Sequence, residues 1–414
     1  MPNRLAIVAM NAYPAVNPTV TRPIGGLEHF AWSLARKTAA LTPIKVSFLT
    51  RHTQRPPTEV VDGVQLVPLV EPLREVRMTA SQSVGRRRGF PWVRVRRLAP
   101  SLLWQLPLIA AARIVSPRAP YAECLERLLV NAAPEVMLTL GVNIDSMLSI
   151  QAATRMKIPS VLWLRSNGDL NRRFFEDENY VDPYCATSEQ ARFCLANATH
   201  ILCQTQWQQD HVREHTGRES VIIRNPIDLA RFPRGTDDMQ QRGHVLWIGR
   251  SDRRDKRPLL GIEIARRCPS IPFVMVMNPT DPDVAAEVRA AKTPNVRIIE
   301  RVPRPEMAET FRTSRVFLST SAAEFEGFPN VFLEAAASGT PVVSLENCGG
   351  YFQEPAAGLC AGGDVELLVR QLNELWSQPE LWSRFAASGH EFVSRTHSVE
   401  TIVGQFAEFL TRIG

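Results

Sequence analysis

Apolar runs separated by polar turns recur along the chain in two similar blocks. Leu5–Met10 is a continuous apolar run, and a turn at Gly25-Gly26 follows. Leu27–Ala40 then carries Phe30, Trp32 and Leu34 at helical spacing before the apolar run Ile44–Leu49. A buried strand, a glycine turn, a helix and a second buried strand begin a parallel α/β sheet. Val64–Leu69 predicts another strand, after which residues 72–116 are irregular and basic. Order resumes with a helix near Ala122–Asn131 and strands at Val136–Leu140, Ser160–Leu164 and Ile201–Cys203. A helix at Trp207–Glu214 and a short run, Val221–Ile223, complete the first block. Residues 229–243 are polar, with Pro233, Gly235 and Asp237-Asp238, and read as a linker. The pattern then restarts with strand Val245–Ile248, loop Gly249–Arg257, helix Pro258–Arg267 and strand Phe273–Val276. Val296–Ile299, Val316–Leu318 and Val342–Leu345 are further strands, and Asp364–Trp376, Pro379–Arg395 and Val399–Leu410 close the chain as helices. Two doubly wound α/β domains are expected, with ligands at the carboxyl ends of the strands.

Composition narrows the class. A chain of 414 residues is too long for one ordinary core. No run approaches the ~18–20 apolar residues of a membrane span, and the first apolar run is too short for a signal peptide. A cytoplasmic protein is expected. The seven cysteines are odd in number and scattered, which argues against a disulfide framework or a zinc site. The net charge is +6, and much of the excess lies at Arg74, Arg77, Arg86, Arg87, Arg88, Arg94, Arg96 and Arg97. This 74–97 segment reads either as a solvated insertion or as a patch for an anionic membrane surface or an acidic glycan. The neighbouring Leu102–Val115 contains Leu103 and Trp104, and Pro107 is expected to break it. Phe90 and Trp92 belong to no recognisable module, so no nucleic-acid partner is expected.

Residues 324–343 carry the strongest chemical signal. Glu326 and Glu334 flank a Gly-Phe-Pro-Asn turn and a short apolar helix. Pro329 keeps Glu326 on a loop, and Asn330 as N-cap would put Glu334 just inside the helix. Two carboxylates over one crevice suit a polyhydroxylated ligand. Upstream, Gly249-Arg250 ends a strand and Lys256 lies six residues on, with Arg253, Arg254 and Arg257 beside them. A cation pair before a helix N-terminus suits a diphosphate, although a solvated basic loop would have the same composition. Gly349-Gly350 follows a strand and lets backbone N–H groups approach an anion, or simply turns the chain. Gly25-Gly26 has the same two readings and is no GxGxxG fingerprint. The one Asp-x-Asp, Asp281-Pro282-Asp283, is better explained as a helix cap than as a metal pair.

Taken together, Gly25-Gly26-Leu27-Glu28-His29, Asn225-Pro226-Ile227-Asp228, Gly249-Arg250 with Lys256, Glu326 with Glu334, and the tail Gly358-Leu359 through Gly363-Asp364 resemble one family. It is the retaining glycosyltransferases of the GT-B fold, glycosyl transferases group 1 (family four) type. The resemblance is close in the C-terminal half and weak in the N-terminal half outside its glycine loop. It implies two Rossmann-like domains facing a central cleft, with a last helix crossing back to the first domain. The expected boundaries are an acceptor domain 1–228, a linker 229–243, a nucleotide-sugar domain 244–395 and a closing helix 396–414. It implies transfer from a UDP- or GDP-sugar co-substrate to a glycan, lipid-linked glycan or small-molecule acceptor, with no cofactor and no divalent metal. Arg250 and Lys256 would bind the diphosphate, Glu334 the ribose hydroxyls, and Glu326 the sugar at its reacting face. Gly249, Phe328, Pro329, Asn330, Val331, Gly349 and Gly350 would support the donor, and Gly25-Gly26 would meet the diphosphate from the other domain. The family often ends the strand at 160–164 with His. Here Arg165-Ser166-Asn167-Gly168-Asp169 follows, making Arg165, Asn167 and Asp169 candidate acceptor contacts. A nucleotide-sugar epimerase, a glycan phosphorylase and a non-catalytic sugar-nucleotide binder are the competing readings. Attachment at the inner face of a membrane is the expectation attached to the Arg-rich segment.

Overall fold

A computed structural model describes the chain except residues 1, 18, 21–24, 57, 72, 75, 78–79, 81–83, 87–92, 96–99, 116–119, 353–356 and 414. The chain divides into two compact units, one of residues 1–162, 197–200 and 410–414, the other of residues 163–196 and 201–409. Most of the Arg-rich segment's side chains lie outside the described residues.

The first block forms β1 (Arg4–Val8), β2 (Lys45–His52), β3 (Val60–Val61), β4 (Val64–Val70), β5 (Val84–Arg86), β6 (Val93–Val95), β7 (Val136–Leu140), β8 (Ser160–Trp163), β9 (His200–Cys203) and β10 (Val221–Ile222). Eight of these make one sheet in the order β10-β9-β8-β7-β1-β2-β4-β3, and β5 and β6 form a separate antiparallel pair. Leu5, Ala6 and Ile7 are fully buried, as is usual for central parallel strands covered on both faces. The short edge strand β3, antiparallel to β4, has no counterpart among the apolar runs of the sequence.

The second block forms β11 (His244–Arg250), β12 (Phe273–Asn278), β13 (Val296–Ile299), β14 (Ser314–Ser319), β15 (Val342–Ser344) and β16 (Gly358–Cys360). Their order is β13-β12-β11-β14-β15-β16, and every pair is parallel. The chain builds outward from β11 on one side, then returns to lay β14 on the other. That reversal between β11 and β14 is a topological switch point, where a crevice opens outside the carboxyl ends of the strands. Trp247 on β11 anchors the core there, 2% exposed, with its indole N–H donating to Thr320 Oγ1 at 2.9 Å.

Several helix ends follow the sequence chemistry. Asp281 caps Pro282–Ala291 through the N–H groups of Asp283 and Val284, at 3.0 and 3.1 Å, as its reading as a cap requires. Pro107 does not break Leu102–Val115, which is one helix. Proline deletes one helical hydrogen bond, and the leucine, glutamine and alanine around it favour helix strongly enough to continue. Leu103, Trp104, Leu106 and Leu108 are exposed on it. Among the described residues, no helix is long and apolar enough to cross a membrane. The last helix, Val399–Ile413, buries Ile402, Val403, Phe406, Phe409 and Leu410, apolar positions at helical spacing. Its Phe406 ring packs on Trp163 of β8, 5.5 Å between centroids.

Candidate functional site

The crevice at the β11/β14 switch point is lined by the loops at the carboxyl ends of those two strands. Lys256 lies in the loop after β11, and Ser321 and Glu326 lie in the segment after β14. The Lys256 ammonium pairs with Glu326 and donates to Ser321 Oγ at 3.2 Å. Both side chains keep only a little exposure, 16% for Lys256 and 21% for Glu326. This is a held cation beside a held carboxylate, in a position a ligand can still reach. Gly249 keeps the loop close, because a Cβ there would sit 2.6 Å from the Trp247 ring.

The rest of the basic loop is largely committed to the fold. Arg257 ties the loop to the end of β14, donating to Thr320 O at 2.6 Å and Ser321 O at 2.8 Å, and pairs with Glu346 at 2.6 Å. Arg253 pairs with Glu287, and Arg254 lies over the Phe325 ring. Arg250 reaches Asp255 at 2.7 Å and Asp252 at 3.6 Å, with Tyr184 beneath it at 5.5 Å. Two carboxylates and the Tyr184 hydroxyl thus face Arg250, and burial raises the pKa of Asp255 and of Tyr184. The expected cation pair is present, but Lys256 faces one carboxylate where Arg250 faces two.

The glutamates differ in setting. The helix Asn330–Ala337 begins after Pro329, its N-cap, so Asn330 is the first helical residue rather than the cap. Proline takes this place because its φ is preset and the helix start needs no donor from it. Glu334 therefore lies a full turn inside and is 6% exposed, pairing with Arg304 at 3.2 Å. Burial pushes its carboxyl pKa up, while Arg304 and Arg231 act in the opposite direction.

The Glu326 loop is held by side chains from residues 166–225. Ser166 Oγ donates to Phe325 O at 2.7 Å, and Asn167 Nδ2 donates to Ala323 O at 2.8 Å. Phe328 N donates to Gln204 Oε1 at 3.1 Å, and Asn225 Nδ2 donates to Phe328 O at 3.0 Å and Asn330 Oδ1 at 2.9 Å. Arg165 donates to Asn225 at 3.0 Å, and burial pulls its pKa down to about 9. Asp169 accepts from the N–H groups of Arg165 and Ser166 at 2.7 and 3.1 Å. The three candidate acceptor residues thus spend hydrogen bonds on loop geometry. Gly349, at φ +68°, packs so tightly on this loop that a Cβ would lie 2.8 Å from Gly327 O. Val331 is partly buried against the apolar cluster behind the helix. Gly25 caps the helix Gly26–Leu41 in the first unit, its N–H donating to Glu28 at 2.9 Å.

Residues 242–378, which hold β11 to β16, match the family described as Glycosyl transferases group 1. The match covers about a third of the chain. The solved structures it resembles place the whole chain in the GT-B fold. Sucrose-phosphate synthase from Thermosynechococcus elongatus is 16% identical, with 99% of each chain covered and a TM-score of 0.71. HepE from Anabaena, in complex with UDP and glucose, is 14% identical over 99% of each chain, with a TM-score of 0.67. TarM from S. aureus is 10% identical over 98% of this chain and 99% of its own, with a TM-score of 0.67. No curated protein matches the chain by sequence.

Around this site, sequence reasoning finds Arg250, Lys256, Glu326 and Glu334 but misses the residues that hold them and their loops. Ser321, Asp255 and Glu346 carry no signal beyond being polar residues near strand ends. Gln204 is invisible as a lone glutamine after a strand. Asn225 belongs to the Asn-Pro-Ile-Asp motif, and a buried asparagine beside a proline is a fair hint of a loop clamp.

Proposed function

We propose that the protein is a retaining, metal-independent glycosyltransferase. Its donor is a UDP- or GDP-linked sugar, and its acceptor is a glycan, a lipid-linked glycan or a small molecule. The observation that carries this reading is Lys256, Glu326 and Ser321 gathered at a switch point inside the family-matched segment. When the donor C1–O bond breaks, negative charge develops on the β-phosphate oxygen. Lys256 supplies a cation there, with Arg250 at the same strand end. An ammonium already held by Glu326 and Ser321 needs little reorganisation as that charge appears. The acceptor oxygen bonds to C1 on the face the phosphate leaves, and the acceptor proton passes to the departing phosphate oxygen. Retention of configuration follows from that same-face route.

Glu326 contacts the sugar at its reacting face in this reading, and Glu334 serves the ribose hydroxyls. Gly249, the backbone of Phe328, Pro329, Asn330 and Val331, and Gly349-Gly350 support the donor. The acceptor domain is residues 1–228, with Gly25-Gly26 on its first loop, 229–243 as linker, 244–395 as donor domain and 396–414 as closing helix. Arg165, Asn167 and Asp169 serve the acceptor side by fixing the loops around it.

Incubation with a panel of UDP- and GDP-sugars in excess EDTA tests the reading. UDP-glucose is the first choice, since it is the ligand in another HepE structure. UDP or GDP should be released, with the product anomer matching the donor. Silence across the panel, or activity that needs added metal, would count against it.

Membrane attachment belongs to the same proposal. The exposed Leu103, Trp104, Leu106 and Leu108, next in sequence to the Arg-rich segment, suit the interface of an anionic bilayer. The protein should float with phosphatidylglycerol vesicles at low salt, and Trp104→Ala should weaken this. Equal flotation with neutral vesicles would remove the charge argument.

A further inference from the structure

The helix Gln206–Thr216 carries an aromatic row that the donor-side chemistry leaves unused. Trp207, His211 and His215 are spaced by four residues and share one face of it. The Trp207 and His211 rings stack with 3.7 Å between centroids. His211 Nδ1 lies 2.9 Å from Trp207 O, which fixes the imidazole against the indole. His215 stacks in turn on Phe175 at 4.2 Å. The indole is therefore backed on one side by a braced ring, yet Trp207 remains 38% exposed. A large aromatic held rigid and left partly in water is a plate for stacking.

Trp207 is among the residues lining a cavity of about 250 Å³. The remaining wall includes Asn167, Gln206, Glu324, Asn347 and the Gly349-Gly350 backbone. The chemistry is one aromatic surface surrounded by amide and carboxylate groups. A sugar ring fits this pattern, because it has a C–H face for the indole and a rim of hydroxyls for the polar groups. The size suits a sugar ring better than a drug-sized ligand. A nucleobase would also stack on the indole, but a nucleotide brings phosphates. Glu324, the charged side chain in this wall, disfavours a phosphate beside it. Ala323 and Glu324 in this wall belong to the loop that carries Glu326, so the cavity borders that loop.

We propose that this cavity is the acceptor subsite and that it takes a neutral saccharide whose C–H face stacks on Trp207. The proposal rests on the glycosyltransferase reading for the word acceptor, but the binding itself does not. It makes the acceptor a glycan, free or lipid-linked, rather than an aglycone.

Saturation-transfer NMR with maltose, cellobiose, lactose, chitobiose and mannobiose tests it on the full chain. At least one disaccharide should bind, with the strongest transfer to protons on one ring face. Trp207→Ala should weaken that binding by about tenfold or more, an ordinary loss for an aromatic contact. Trp207→Phe should keep most of it, and Asn347→Ala should weaken it without touching the indole. Thermal stabilisation by UDP and GDP should be the same in all these variants. No saccharide binding, equal binding in Trp207→Ala, or loss of the nucleotide effect in its place would overturn the subsite. Trp207-dependent saccharide binding without any nucleotide-sugar turnover would instead remove the transferase reading and leave the subsite standing. Turnover without saccharide binding would do the reverse.

Discussion

Lys256→Ala should lower turnover of the nucleotide sugar by about a hundred- to a thousandfold, the usual loss on removing one preorganised charge-stabilising donor. The reason is electrostatic. The ammonium is braced by Glu326 and by Ser321 Oγ at 3.2 Å, so its charge is fixed before the leaving group departs. A group that acts mainly as the phosphate becomes more negative should appear in kcat more than in KM. Lys256→Arg should restore only part, because a planar fork does not replace a compact ammonium between a carboxylate and a hydroxyl. Glu326→Gln should also fall steeply, since it removes the carboxylate that braces Lys256 and that is proposed to contact the sugar. The two losses should therefore be far from additive in the double variant, as expected for residues acting as one unit. Steady-state rates on the best donor, with nucleotide affinity measured separately, would decide this. Near-normal kcat in Lys256→Ala would end the assignment of the leaving-group role.

Arg242→Met should destabilise the protein by about 3–5 kcal/mol, because several buried acceptors lose their donor at once. Arg242 is fully buried. Its Nε and Nη2 donate to Thr236 O at 3.1 and 2.9 Å, and Nη2 also donates to Ser338 O at 3.1 Å. Its Nη1 donates to Ser314 O at 3.2 Å and to Thr340 Oγ1 at 2.9 Å. The guanidinium also lies 5.2 Å from the Trp382 ring centroid. Methionine fills much of the volume but donates to none of these acceptors, although Ser338 O keeps the Gly235 N–H at 3.0 Å. Lysine keeps the charge but cannot reach all these acceptors from one nitrogen, so Arg242→Lys should recover only part of the loss. Urea unfolding followed through tryptophan fluorescence gives the measurement. A midpoint within experimental error of wild type for Arg242→Met would mean these hydrogen bonds contribute little.

Arg242 also marks a limit of pattern reading. It falls in the polar stretch 229–243 that reads as a linker, where an arginine suggests solvent. Nothing local distinguishes an arginine that stays in water from one whose acceptors wait on the Ser338–Thr340 turn, 96 to 98 residues away. The parallel strands are easier. β7 and β13 match their expected ranges end to end, and in β7 five buried residues bounded by polar ones leave little alternative. The helices Ile144–Arg155 and Ser188–Asn197 give no clear expectation, since their alanine- and serine-rich faces blur the helical period. Helix Leu102–Val115 is expected to break only if the proline rule is applied without weighing its neighbours.

The same division holds at the site. The amino-acid sequence by itself determined the order of strands and helices, the two-block architecture, and the placement of Arg250, Lys256, Glu326 and Glu334 near strand ends. Those properties depend on neighbours within a few residues, where periodicity, capping and turn chemistry act. The tertiary structure alone decided how each of these charges is held. Arg257 is committed to backbone carbonyls and Glu346, Arg250 is countered by two aspartates, and Glu334 is buried on Arg304. Lys256 meets Glu326 across 70 positions of chain. Hydrogen-bond energies fall away within a few ångströms and screened Coulomb energies within about ten, and neither takes account of sequence separation. Only the return of the chain to β14 beside β11 could bring that pair together, and with it the Trp207 cavity next to the Glu326 loop.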